Sequence, residues 1–226
     1  MEYNNEKCRI IEFNGTPGCG KTTIVRSLAE KLARNTKFNY VRNRIDKNAY
    51  SLLLNPRYYP LLKRVFEYAN LYPQKKGLLR CLLPAVFIRK YNNFLMDDST
   101  SLLLFDQGFV QSIISLAHTD NLVVSPLLDS IIETSGLKKL PISIINCRCD
   151  VDVSIARIQG RPNNGARVHA MENEKLYSTI KTQTDNLTCL RAIIKEQCPN
   201  VKTIDIDTNI EVSENVNLLI NQLQID

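Results

Sequence analysis

The chain has 226 residues, 44% of them hydrophobic and 23% charged, with a formal net charge of +6. That length builds one full α/β domain with a core of its own, and the composition is that of ordinary globular material rather than a disordered or fibrous chain. No apolar run reaches the length of a membrane span, since the longest candidate, Leu78 to Ile88, is short and contains Arg80.

The opening Met1-Glu2-Tyr3-Asn4-Asn5-Glu6-Lys7 lacks the apolar core of a signal peptide. Seven cysteines, an odd number without close paired spacing, point to reduced thiols and a cytoplasmic setting. A first strand is expected over about Cys8 to Asn14. It runs into Gly15-Thr16-Pro17-Gly18-Cys19-Gly20-Lys21-Thr22-Thr23, which fits G-x-x-x-x-G-K-[ST], the phosphate-binding loop. Ile24, Val25, Leu28 and Leu32 follow at the spacing of one helix face. In such a loop the glycines let successive N–H groups point at one anion, and the helix start adds its own unpaired donors and dipole. The motif assigns Lys21 to the β- and γ-phosphates and the Thr22 hydroxyl to Mg²⁺. Cys19, just ahead of the helix, is read first as a small residue that fits the loop, and second as a thiol of lowered pKa.

A second strand is expected over Lys37 to Arg42. Residues 48 to 96 read as a helical insertion of two or three helices, punctuated by Pro56, Pro60, Pro73, Gly77 and Pro84. From Arg57 to Lys90, eight basic residues stand against Glu67 alone, a net +7, so the rest of the chain is about neutral. The cluster implies an anionic partner or a solvated surface. Ser101 to Asp106 reads as a third, fully buried strand ending on a carboxylate. A helix through Val110, Ile113, Ile114 and Ala117 follows, then a fourth strand from Pro141 to Cys147. Asp150 or Asp152 is expected to cap the helix carrying Val153, Ile155 and Ile158. A polar stretch from Gly160 to Arg167 leads into a long helix over about Asn173 to Gln197. Val201 to Ile206 forms the fifth strand, and Ser213 is expected to cap a last helix, Glu214 to Leu223. Alternating strands and helices give a parallel sheet covered on both faces, with ligands at the carboxyl ends of the strands.

Two further groups carry chemistry. Asp106, after an apolar strand, is the expected second holder of Mg²⁺. Arg157 and Arg161, four apart on one expected helix face, and Arg167 beyond a turn would stabilise a phosphoryl group in transfer.

Taken together, these residues resemble the nucleoside and nucleotide kinases of the phosphate-loop class, and most of all thymidylate kinase. The resemblance runs nearly the full length. It rests on Phe13 to Leu32, on Leu103 to Ser112, on Asp150 to Glu172 with Asp-Val-Ser-Ile-Ala-Arg-Ile-x-x-Arg, and on Thr203 to Val216. It implies one three-layer α/β/α domain with a five-stranded parallel sheet, an acceptor-side helical insertion at 48–96 and a short lid at 157–172. It implies an ATP- and Mg²⁺-dependent phosphotransferase, with Lys21, Asp106, Arg157, Arg161 and Arg167 at the reacting groups and Gly15 to Thr23 on the donor phosphates. Thr208 and Asn209 would lie beside the adenine. On the acceptor side stand Arg42, Arg44, Gln107 and Gln111. Gln107 replaces the Arg usual in the family, and the Arg-Glu-Pro segment after the second strand is absent. The acceptor is thus an anionic small molecule, a nucleotide or a phosphorylated sugar, and a homodimer is compatible with this reading. Nucleic acid and membrane surfaces are disfavoured partners. The competing readings are an AAA-type or switch ATPase and a nucleotide-binding adaptor without kinase activity. The arginine cluster argues against the first, and Gln107 keeps the second open.

Overall fold

The computed structural model describes residues 9–33, 36–41, 49–72, 77–97, 102–117, 120–161 and 171–225. Its centre is β1 (Ile10–Asn14), buried along its whole length and paired in parallel with β3 (Leu102–Phe105) on one side and β4 (Ile142–Arg148) on the other. β2 (Phe38–Val41) closes the sheet beyond β3, and β5 (Lys202–Asp207) beyond β4, giving the order β2-β3-β1-β4-β5 with every pairing parallel. The apolar run of β3 and the unbroken burial of β1 suit strands covered on both faces, whereas edge strand β5 alternates buried and exposed positions. The chain builds outward from β1 first toward β2 and then toward β5. The crevice between those two directions opens at the carboxyl end of β1, where sheets of this kind hold ligands.

Helices form the other two layers. On one face α1 (Lys21–Leu32) and α8 (Val212–Leu223) cover Ile11, Phe13, Leu104, Ile145 and Ile206. On the other, α2 (Tyr59–Ala69), α3 (Leu78–Leu95), α4 (Phe109–Ala117), α5 (Pro126–Ser135) and α7 (Asn173–Gln197) enclose Ile10, Phe105, Ile142 and Ile144. α6 (Val151–Gln159) lies on α7 through Ile158, Leu176 and Ile180. Two expected caps differ. Asp150 occupies the cap position of α6 but its side chain makes no capping bond, and α8 starts one residue before Ser213, with Glu211 in the cap position.

The described residues within 48–96 form 3₁₀ turns at Ala49–Leu54 and Pro56–Tyr58, followed by α2 and α3. Pro84 does not divide α3. It forfeits one backbone bond within a helix whose Cys81, Leu82, Ala85, Val86 and Phe87 are all buried, and that burial outweighs the loss. Tyr58, Tyr68, Tyr72, Phe87 and Tyr91 of the segment are core, whereas Tyr50 and Tyr59 are exposed. Tyr68 OH donates to Val123 O at 2.9 Å, Tyr72 OH donates to Tyr68 OH at 2.8 Å, and Val123 N donates to Tyr72 OH at 3.1 Å. Its basic residues are spread out: Arg64 pairs with Glu67 at 2.8 Å, Arg89 donates to Ser51 Oγ at 2.9 Å, and Lys90 lies 5.9 Å from the Phe87 ring centre.

Candidate nucleotide site

The loop from Gly15 to Gly20 connects the carboxyl end of β1 to the first turn of α1, and its shape depends on glycine at two tight points. Gly15 has φ +148°, and a Cβ there would stand 2.5 Å from Cys147 O and 2.6 Å from Cys19 Sγ. Gly18 has φ +81°, and a Cβ would meet Ser154 O at 2.3 Å. No side chain fits either place. Lys21, itself buried, donates from Nζ to Gly15 O at 2.6 Å and to Thr16 O at 2.9 Å, so its ammonium crosses the mouth of the loop. α1 has no acidic residue in its first turn and no side-chain cap. Its first N–H groups and positive dipole end are matched to an anion. Gln111, from the first half of α4, accepts from Gly15 N at 3.3 Å and ties that helix to the loop entrance.

Thr22 and Asp106 meet beside the loop. Thr22 Oγ1 donates to Asp106 Oδ2 at 2.9 Å, and Tyr40 OH lies 3.4 Å from the same oxygen. Asp106 Oδ1 is buried with no hydrogen-bond partner among the described residues. A hydroxyl and a carboxylate with a spare buried oxygen are hard oxygen donors suited to Mg²⁺, which takes one or two protein ligands and completes its shell with water and phosphate oxygens. These residues fit such an ion.

Glu12 is a group that the sequence reading missed. It is buried in β1, accepts from Tyr91 OH at 2.7 Å and Phe109 N at 3.0 Å on Oε2, and accepts from Val110 N at 2.7 Å on Oε1. It thereby satisfies two orphan donors at the start of α4 and fixes the turn that carries Asp106. Gly108 is needed in that turn, because a Cβ would stand 2.4 Å from both Glu12 Cδ and Tyr91 OH. Burial pushes the Glu12 carboxyl up to about 7, against the pull of those three donors, and burial also holds the Tyr91 hydroxyl well above its ordinary value. A single charged residue inside the run Ile10-Ile11-Glu12-Phe13 was the signal available.

On the other flank of the loop, Arg157 of α6 donates from Nη2 to Thr208 O at 2.9 Å, and its Nη1 lies 3.4 Å from Thr208 Oγ1. Thr208 Oγ1 in turn bridges Cys19 O at 2.5 Å and Arg148 O at 2.9 Å. Arg157 and Thr208 therefore sit directly on Gly20, within 3.6 Å of where its Cβ would be. Asn209 N donates to Asp207 Oδ1 at 2.9 Å, which shapes the turn after β5. Arg161 differs from expectation: α6 ends at Gln159, so Arg161 lies beyond the helix, exposed, rather than one turn along the face of Arg157. Cys19 Sγ lies 3.6 Å from Lys21 Nζ. A hydrogen bond from Cys147 and the charge of Lys21 lower the Cys19 thiol, whereas burial raises Cys147.

The geometry thus gathers Gly15 to Thr22, Asp106, Gln111, Arg157 and Thr208 at one end of the sheet. Thr23 is exposed on α1 and Gln107 is partly buried after Asp106. Arg42, Arg44 and Arg167 lie outside the described residues, as does most of the expected lid.

A glycine loop between a central parallel strand and a helix, with a strand-end Asp beside it, defines the α/β fold of phosphate-loop kinases. No protein-family model matches the chain, and no curated protein matches it. Among solved structures it is similar to deoxyadenosine kinase from M. mycoides with bound dATP, at 18% identity and a TM-score of 0.55, over 96% of this chain and 99% of that one. The same enzyme with the products dCMP and a flexible dCDP gives 18% and 0.55, over 95% and 98%. With bound dCTP it gives 19% and 0.51, again over 95% and 98%. The likeness is one of fold.

Proposed function

We propose that this protein is an ATP- and Mg²⁺-dependent small-molecule kinase whose acceptor is a nucleoside or a nucleoside monophosphate. The observation that carries the proposal is the Thr22–Asp106 pair beside Lys21 and the loop, with Asp106 Oδ1 left without a partner. The resemblance to thymidylate kinase and the fold shared with deoxyadenosine kinases agree on this class and differ on the acceptor. The neighbouring structures that hold dATP, dCTP or dCMP favour a deoxynucleoside or its monophosphate over a sugar phosphate.

In this reading the loop N–H groups and Lys21 bind and align the donor phosphates, and positioning of that kind supplies most of the catalysis in phosphoryl transfer. Thr22 and Asp106 hold the ion, which when bound neutralises phosphate charge. Arg157, anchored on Thr208, frames the nucleoside end of ATP together with Asn209. Arg161 and Arg167 belong to the segment that covers the transferred group and excludes water. Gln111, on α4 and tied to Gly15, faces the acceptor side.

The test is transfer of label from γ-labelled ATP to a panel of nucleosides, deoxynucleosides and their monophosphates. A labelled product from one of them supports the reading. Free ATP hydrolysis with no product across the panel sinks it and favours the ATPase alternative.

A further inference from the structure

Tyr40 stands opposite Leu104 in the register of β2 and β3, so both side chains leave the sheet on the face that α1 covers. Asp106 lies two positions beyond Leu104 and continues that face past the end of β3. Its backbone N–H still donates to Val41 O at 3.4 Å, which carries the ladder one residue further. Thr22 reaches the same point from the first turn of α1. Three elements thus converge on one carboxylate: Thr22 Oγ1 donates to Asp106 Oδ2 at 2.9 Å, and Tyr40 OH donates to it at 3.4 Å. Asp106 is 5% exposed, and its Oδ1 has no hydrogen-bond partner among the described residues.

We infer that Tyr40 is a positioning residue of the ion site: its hydroxyl holds the Asp106 carboxylate in the orientation that presents Oδ1 to a divalent cation. The inference rests on the reading of Thr22 and Asp106 as the residues that hold the ion. A carboxylate turns easily about its last torsion, because that torsion has broad and roughly two-fold preferences. Each of its oxygens accepts through two lone pairs, and two hydroxyl donors on Oδ2 take both. Oδ1 then faces the site with its lone pairs free, as a hard oxygen ligand suited to Mg²⁺. Thr22 alone does not fix the carboxylate, since it belongs to the phosphate-binding segment and its own oxygen is wanted by the ion. Tyr40 comes from β2, outside that segment, and its half-buried side chain packs on the apolar cluster beneath α1. A tyrosine has only two side-chain torsions, so packing of the ring also fixes where the hydroxyl stands. Groups that hydrogen-bond a metal-ligating side chain from behind typically contribute about 10–100-fold in metal affinity. At 3.4 Å the Tyr40 bond is long, which puts its contribution near the lower end.

The test is Mg²⁺ titration of the binding of a fluorescent ATP analogue to the full chain, on wild type, Tyr40→Phe, Asp106→Asn and the double variant. Tyr40→Phe keeps the ring and removes only the hydroxyl. It should raise the Mg²⁺ midpoint about three- to tenfold and leave the affinity for the analogue in a chelator within about twofold of wild type. Because Tyr40 acts through Asp106, the same change in the Asp106→Asn background should add nothing. Three outcomes would overturn the inference: an unchanged Mg²⁺ midpoint in folded Tyr40→Phe, an equal loss of affinity in the chelator, or a shift that persists in Asp106→Asn. The two levels fail in different ways. If Asp106→Asn alone leaves the Mg²⁺ midpoint unchanged, the ion site and the inference fall together. A shift in Asp106→Asn with none in Tyr40→Phe removes the inference and leaves the ion site standing.

Discussion

Thr22 Oγ1 stands 2.9 Å from Asp106 Oδ2 although 84 positions separate them in the chain. The pairing exists because β3 lies next to β1 in the sheet, so the residue after β3 emerges beside the first turn of α1. Asp106 keeps its second oxygen buried and unpartnered among the described residues. Asp106→Asn should therefore weaken the Mg²⁺-dependent part of ATP binding tenfold or more, about 1.4 kcal/mol. Binding in the presence of a chelator should match wild type. A fluorescent ATP analogue titrated with and without Mg²⁺ reads the difference, and an unchanged Mg²⁺ dependence would remove Asp106 from the ion site.

The loop's backbone shape gives a second expectation. Gly15→Ala places a Cβ 2.5 Å from Cys147 O at φ +148°, so either the loop or β4 must shift. A loss of roughly 1–3 kcal/mol in urea unfolding is expected, of the order of a strained backbone position, together with loss of ATP binding. Retained binding at wild-type affinity would show that the loop tolerates a different path.

The two arginines near the end of α6 should separate by function. Arg157 donates to Thr208, which is anchored on Cys19 O, so Arg157→Ala should raise the KM for ATP. Arg161 is exposed beyond the helix and touches neither Thr208 nor the loop in the contacts described, so Arg161→Ala should lower kcat with ATP binding retained. Steady-state kinetics with ATP varied at fixed acceptor distinguishes the two, and identical effects would contradict separate roles.

Glu12 makes stability depend on pH. Its carboxyl titrates near 7 in the folded chain because burial disfavours the charge, against 4.5 as the ordinary value. The folded state then binds the proton more tightly than the unfolded state. Its contribution is complete below about pH 4.5 and is lost as pH rises through 7, an effect of roughly 3 kcal/mol at most. Urea midpoints should fall between pH 5 and 8 in wild type, and Glu12→Gln should flatten that slope. A wild-type midpoint that rises across the window would mean that the hydrogen bonds from Tyr91, Phe109 and Val110 win over burial.

The donor half of the site was legible because local signals wrote it. The spacing Gly15 to Thr22 specifies a loop, and four apolar residues followed by Asp106 specify a strand end. Both signals are contiguous in the chain. What the sequence could not show were relations made by register. Asn14, Asn146 and Asp205 form one row only once β1, β4 and β5 are aligned. Glu12 caps α4 only because α4 starts above β1. Arg161 was placed on the face of Arg157 because the pattern through Ile158 continued the period, whereas the helix ends at Gln159 with Gly160 in the cap position. The basic count from Arg57 to Lys90 implied an anionic partner or a solvated surface; within it Arg64 pairs with Glu67, and Arg89 donates to the neutral Ser51 hydroxyl.

The most direct measurement is where the γ-phosphate of ATP goes. With Mg²⁺ and the deoxynucleoside and monophosphate panel present, label should appear on one acceptor far faster than as inorganic phosphate, and Lys21→Ala should abolish both. Label appearing only as inorganic phosphate in the wild-type protein, at a rate indifferent to every acceptor, would contradict a kinase and leave a nucleotide hydrolase.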